Sequence, residues 1–310
     1  MKGVIINCDP GIDDSLAIML AIKSSRLDIA GITTSFGNTS AEKTTDNALG
    51  LLDYLGVKIP VAQGAGKPIA GKRVKANYVH GENGFADIVL PRKSMSVPES
   101  ADDFIINNVE SGRVDTLIST GPLTNIITAF KKKPEIMRKV KDLIIMGAAI
   151  TEPGSITRVA EFNFYCDPYA ADAVLHTDVK KTLISRDVTQ RAILKPSDLP
   201  RFGNSKTAKL AVKLIKFYQK FYVDVFKLEG NPLPDALTVG YAINKDFIET
   251  KEMDVVVETE GVHTHGMSIA ERRTGKFQEE AKLNAAVSVK VKAKEFIDYF
   301  IETLSLPDKN

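Results

Sequence analysis

Apolar residues fall into two kinds of run that alternate along the chain. Short, nearly continuous runs at 4–8, 29–35, 116–119, 143–146 and 183–185 are bounded by turn-forming residues and predict buried strands. Between them, apolar positions recur at helical spacing and predict helices over 15–23, 41–55, 101–111, 123–131, 168–176, 207–227 and 293–304. Strands without a polar face need cover on both sides, which intervening helices supply. The expected fold is therefore α/β, a mainly parallel, mixed open sheet with helices on both faces. Runs at 254–258 and 286–292 alternate polar and apolar residues more openly and are expected at a sheet edge of mixed direction.

No internal repeat or linker-like stretch interrupts this alternation, so one domain is expected over 1–310. Residues 64–92 carry many Gly, Asn and Pro with weak periodicity, the mark of a long binding loop or lid. Motion is expected in a loop at about 72–92 and in a helical region at about 218–235.

Composition narrows the class. Lys and Arg number 41 against 39 Asp and Glu, a net charge of +2, which gives no general field for nucleic acid or an anionic membrane. The only cysteines, Cys8 and Cys166, fit neither a disulfide framework nor zinc-ligand spacing, which points to a reducing, cytoplasmic setting and to buried small residues. The N-terminal apolar run is broken at once by Pro, Gly and acids, unlike a signal peptide. No apolar run is long enough for a membrane span.

The sharpest local feature is Asn7-Cys8-Asp9-Pro10-Gly11-Ile12-Asp13-Asp14, between the first strand and the first helix. Three carboxylates crowd around a Pro-Gly turn at the carboxyl end of a strand, where open α/β sheets bind ligands. Such acids resist ionising together unless a cation is present, and a hard divalent ion bound by oxygen ligands removes the conflict. Helix capping accounts for one such Asp; three around one turn favour a site. Polar residues recur at the other predicted strand ends, at Asn38, Thr120 to Asn125 and Gly147.

Several separated motifs together resemble the nucleoside hydrolase family over essentially the whole chain. They are Cys8-Asp9-Pro10-Gly11-Ile12-Asp13-Asp14, Phe36-Gly37-Asn38, Gly121-Pro122-Leu123-Thr124-Asn125, Ala160-Glu161-Phe162-Asn163 with Cys166-Asp167-Pro168, Arg186-Asp187-Val188-Thr189-Gln190, Pro234-Asp235-Ala236-Leu237 and Gly266-Met267-Ser268. The resemblance implies a Rossmann-like fold and Ca²⁺-dependent hydrolysis of ribonucleosides to free base and ribose, in nucleoside salvage. It implies that the carboxylates of Asp9, Asp14 and Asp235 and the backbone carbonyl of Thr124 hold the calcium. Asp9 would also act as general base on the attacking water, through an oxocarbenium-like transition state. Asp13, Asn38, Glu161 and Asn163 would bind ribose hydroxyls, and Met146 would pack beneath the sugar. His80 would lie on a mobile loop beside the base, and Tyr218 and Tyr222, four apart on one helix face, would cover the base side. The partner would be a small ribonucleoside, with no nucleic acid or membrane, and the family resemblance implies a homodimer or homotetramer.

Departures from the family pattern are specific. Asn7 stands where the signature usually opens with aspartate, Ser155 where many members place asparagine toward the 5′-hydroxyl, and Pro234 where base-nonspecific members carry a histidine that protonates the leaving base. The chain has no Trp to stack a purine, so Tyr218, Tyr222 or His80 is the expected source of leaving-group assistance. An alternative reading is a catalytically impaired, calcium-dependent ribose or nucleoside binder. A dehalogenase-like phosphatase needs a second Asp where Gly11 stands, and an EF-hand needs a later Glu. His263 and His265 flank Thr264 in a segment expected to be extended, with both on one surface face.

Overall fold

The computed structural model describes residues 3–308; the outermost ends of the 1–310 domain expectation, with the first two residues of the N-terminal run, lie outside them. The strands are β1 (Gly3–Cys8), β2 (Asp28–Thr34), β3 (Val61–Gln63), β4 (Thr116–Ser119), β5 (Asp142–Met146), β6 (Lys181–Ile184), β7 (Ile193–Leu194), β8 (Asn231–Pro232), β9 (Ile248–Met253), β10 (Val255–Val257), β11 (Ser268–Ala270) and β12 (Ala285–Val291). Eight of them form the central sheet in the order β3-β2-β1-β4-β5-β6-β12-β9. All neighbours pair in parallel except β12 with β9.

Apolar residues of β1 divide strictly by parity. Val4, Ile6 and Cys8 enter one core with the Ile12–Ser24, Pro234–Ile243 and Ala293–Ser305 helices, while Ile5 enters the other with the Ala101–Glu110 and Thr124–Lys132 helices. A strand buried on both faces must be apolar at every position, which is why the strand runs read as continuous rather than alternating.

The chain order reverses between β1 and β4, both of which run outward from this point of the sheet. Loops leaving the carboxyl ends of these two strands diverge to opposite faces, and the crevice between them is where doubly wound sheets take ligands. Asp9 follows β1 and Thr120 follows β4, so both stand at this crevice.

Several sequence expectations are corrected here. The run at 286–292 is not an edge: β12 lies between β6 and β9, and the antiparallel edge is β9, whose mixed sequence Ile-Glu-Thr-Lys-Glu-Met gave no strand signal. The run at 254–258 leaves the central sheet and forms a separate ribbon, β10 with β11. The first helix begins at Ile12 rather than at 15, because Gly11 caps it and the Asp14 carboxylate accepts the Gly11 N–H at 3.0 Å. The segment 262–266 is turns, leaving His263 exposed while His265 packs edge-on against Tyr165 at 5.7 Å, so the two histidines do not share a strand face. Within 64–92 the regular element is the short Asn77–His80 helix, and the aromatic helix expected over 207–227 runs Lys206–Asp224. Cys8 and Cys166 are free and buried, as expected.

Candidate active site

Two helix starts meet at the crevice. The Ile12–Ser24 helix packs along the Pro234–Ile243 helix, bringing Asp13 and Asp14 of one first turn to Asp235 of the other. Carboxylate oxygens of these three residues lie within 4.8 Å of one another, although more than two hundred residues separate Asp14 from Asp235 in sequence. Partial positive charge at both helix N-termini favours acids there, but by far less than such crowding costs.

Asp9 stands near enough to feel the charges of Asp14 and Asp13, although it lies outside the set of oxygens that meet within 4.8 Å. Its Oδ2 accepts the Asn38 N–H at 2.6 Å, while its Oδ1 is buried and has no hydrogen-bond partner. The carboxylate is seated between two glycines: a Cβ at Gly37 would stand 2.0 Å from Oδ2, and one at Gly121 would stand 2.5 Å from Oδ1. The Asn38 side chain ties the acids together, donating to the Asp9 carbonyl at 3.1 Å and to Asp14 Oδ2 at 3.0 Å. Thr120 Oγ1 donates to the other Asp14 oxygen at 2.7 Å.

Burial, followed by the charge of Asp14, pushes the Asp9 carboxyl well above its usual range. Burial and the neighbouring Asp13 push Asp14 up to about 7, and burial with Asp13, Asp14 and Asp9 raises Asp235 strongly. Among the described residues, no lysine or arginine pairs with any of these four acids. His80 stands 3.8 Å from Asp13, and burial drives its imidazole down to about 4. A buried acidic set with an unpartnered oxygen and no protein cation has the donor chemistry of a hard divalent-ion site.

Above the acids opens a cavity of about 480 Å³, within the range of small-molecule sites. Of the sequence-predicted residues, Asp13, Asn38, His80, Met146, Glu161, Asn163, Tyr218, Tyr222 and Asp235 line it. Asp9 and Asp14 lie buried at its floor behind Asn38 and Thr120. Thr124 is placed apart from the lining: its hydroxyl donates to Asp167 at 2.6 Å and its carbonyl accepts the Thr128 hydroxyl at 2.7 Å.

The polar rim is internally braced. Glu161 caps its helix by accepting the Asn163 and Phe164 N–H groups, and burial pushes its carboxyl up to about 7. The Asn163 amide donates to the carbonyls of Thr120 and Met146, at 2.7 and 3.3 Å. Tyr218 donates to Asp13 Oδ2 at 2.9 Å, and the Tyr222 hydroxyl lies 3.2 Å from that of Tyr218. His80 Nδ1 accepts the Ile12 N–H at 3.1 Å, which puts the proton of its neutral ring on Nε2.

Asn7 does not line the cavity. Its amide donates to Ser119 Oγ and the Pro122 carbonyl, and its oxygen accepts from Thr33 and Asn125, so it knits β1, β2 and β4 beneath the site. Sequence reasoning gave no role to Arg186, Thr189, Gln190, Tyr78, Phe221 or Phe226, all of which line the cavity. Arg186 to Gln190 had a usable signal, since they follow β6 on the same rim as the other polar strand ends. The aromatic group had none, because Tyr78 and Phe221 meet, at 5.7 Å, only through folding.

The sequence model of the inosine-uridine preferring nucleoside hydrolases matches residues 4–298. The chain belongs to the nucleoside hydrolase family. It is thus an N-glycosidic hydrolase acting on ribonucleosides, and the family's requirement for a metal agrees with the acidic floor. Among curated nucleoside hydrolases, the pyrimidine-specific ribonucleoside hydrolase RihA of Salmonella typhimurium is 36% identical over 309 residues, covering 97% of each chain. The purine-preferring ribonucleoside hydrolase of Gardnerella vaginalis superposes with a TM-score of 0.90 at 30% identity, covering 98% of each chain. A plant nucleoside hydrolase superposes with a TM-score of 0.91 at 28% identity, covering 99% of each chain. Two nucleoside hydrolases this similar to one chain are named for opposite bases, so family membership leaves the base open. No helix among the described residues is long and apolar enough to cross a membrane.

Proposed function

We propose that this nucleoside hydrolase is calcium-dependent and uses Asp9 as its general base. The observation that carries the reading is Asp9 Oδ1, a buried carboxylate oxygen with no hydrogen-bond partner among the described residues, near the Asp13, Asp14 and Asp235 cluster, none of which pairs with a described lysine or arginine. Asp14 and Asp235 would hold the ion with Asp9 beside them, and Asp13 is close enough to contribute an oxygen; the Thr124 carbonyl, which the family resemblance implies as a further ligand, instead accepts the Thr128 hydroxyl and stands apart from the cavity lining. When bound, the cation supplies Lewis acidity and the positive charge against which the carboxylates ionise together.

The Asn38 N–H and the two flanking glycines fix Asp9, so Oδ1 is the oxygen free to take a proton from the attacking water. Water adds at the anomeric carbon, the carbon–nitrogen bond to the base breaks, and its electron pair leaves with the base. Asp13, Asn38, Glu161 and Asn163 are proposed to hold ribose hydroxyls, and a substrate lacking one leaves a buried polar group unpaired. Met146 would pack beneath the sugar. Pro234 lines the cavity and has no proton to give. Assistance to the departing base is therefore assigned to hydrogen-bond donation from Tyr222 or from His80 Nε2–H. Burial raises both cavity tyrosine hydroxyls, strongly in Tyr218, so they donate hydrogen bonds without releasing the proton.

Release of reducing sugar from uridine, inosine and p-nitrophenyl riboside, with calcium and then with chelator, tests the reading. Turnover of the natural nucleosides that calcium restores after chelation, and that D9N abolishes, is expected. Turnover limited to the nitrophenyl substrate would contradict leaving-group assistance. Calorimetric binding of uridine without ribose release would establish a binder instead.

A further inference from the structure

We propose that Arg186, Thr189 and Gln190 form an anion-binding corner of the cavity, and that the substrate is a ribonucleoside bearing a negatively charged substituent. The proposal rests on the ribohydrolase reading above and names the class of riboside it would act on.

Arg186 begins the turn after β6 and is half-buried on the cavity wall. Its Nε–H donates to the Pro153 carbonyl at 2.8 Å, which fixes one edge of the guanidinium. Among the described residues no carboxylate pairs with it, although four buried acids and Glu161 occupy the same cavity and its floor. It lines the same cavity as Glu161 and Tyr222, and its charge acts to lower the carboxyl of one and the hydroxyl of the other. A guanidinium present only to neutralise the acids would contact one of them.

Two further unsatisfied groups stand beside it. Thr189 lines the cavity at 0% exposure, and its Oγ1 is buried with no hydrogen-bond partner. The Gln190 backbone N–H bonds the Arg186 carbonyl at 3.2 Å, holding Gln190 one turn on, and its half-buried side-chain amide makes no hydrogen bond among the described residues. A fixed cation, a hydroxyl and an amide, each with unused donors, match the oxygen fork of a phosphate or carboxylate. A neutral riboside has no group that uses the positive charge.

The anion has two chemical sources, a phosphate on the ribose 5′-oxygen or a carboxylate on the base, and paired substrates separate them. kcat/KM is measured on uridine, uridine 5′-monophosphate and orotidine for the wild type, R186Q, R186M and R186K, each checked by thermal melting. One anionic substrate is expected to exceed uridine by about tenfold or more, the scale of a charge-assisted hydrogen bond. R186Q and R186M should remove most of that ratio and R186K should keep part of it. Calorimetry of the calcium-loaded protein with ribose and with ribose 5-phosphate reads the phosphate arm without turnover. Uridine hydrolysed at least as well as both anionic substrates overturns the corner while leaving the hydrolase reading intact. So does a ratio unmoved in whichever uncharged variant folds. Turnover of none of the three overturns this proposal, and if inosine, measured alongside, is not hydrolysed either, the hydrolase reading falls with it.

Discussion

Gly121→Ala tests the seating of Asp9 directly. A methyl at residue 121 would lie 2.5 Å from Asp9 Oδ1 and 2.9 Å from the Asp9 nitrogen, where ordinary contact begins at 3.4 Å. The side chain cannot simply turn away, because Oδ2 is anchored by Asn38 N and backed by Gly37, where a Cβ would be only 2.0 Å off. Relief must come from moving Oδ1, the oxygen proposed as general base, by roughly the shortfall, on the order of 1 Å, a displacement that costs about a hundredfold in rate if the proposal holds. Crowding a packed interior costs about 1–3 kcal/mol of stability as well, leaving a protein of this size folded at room temperature. The assay is reducing-sugar release at saturating calcium and substrate, with calcium affinity by calorimetry and melting temperature alongside. Gly66→Ala is the control, since nothing lies within 4 Å of the added methyl. A G121A kcat within about threefold of the wild type, with calcium affinity unchanged, would show that Asp9 position does not govern the reaction.

Three further outcomes follow from the same geometry. Tyr218→Phe removes the donor to Asp13; a hydrogen bond to a charged group is worth about 1.5–3 kcal/mol, so KM for uridine should rise by about ten- to a hundredfold, with Tyr222→Phe causing less. Asn7→Asp faces a carboxylate onto the Pro122 carbonyl at 1% exposure and should cost about 2 kcal/mol or more in urea melts; an unchanged midpoint would refute the bracing role. In metal-free protein, the folded Asp14 keeps its proton up to about 7 while the unfolded one loses it near 3.8, so stability falls as pH rises across that window. Calcium should reverse this trend, raising the melting temperature more at pH 8 than at pH 5, and equal stabilisation at both would count against carboxylate ligation.

The sequence alone determined the strand and helix alternation, the class of sheet and the crowding of acids at the first strand end. Its signals are local: β1 shows its double burial as an unbroken apolar run, and Asp9, Asp13 and Asp14 show their crowding within six residues. Strands β3 and β9 were illegible because one is three residues long and the other is mixed in character, held in place by partners distant in sequence. Asp235 was recognisable only by family resemblance, since nothing near it in the chain marks a ligand. Its meeting with Asp13 and Asp14 is made by the packing of one helix on another. Only the tertiary structure decided that Asp9 sits between two glycines, that Asn7 braces strands instead of facing the cavity, and that Arg186 meets the cavity with no acidic partner among the described residues. Each is a matter of which distant groups share a space, and local pattern carries no record of that.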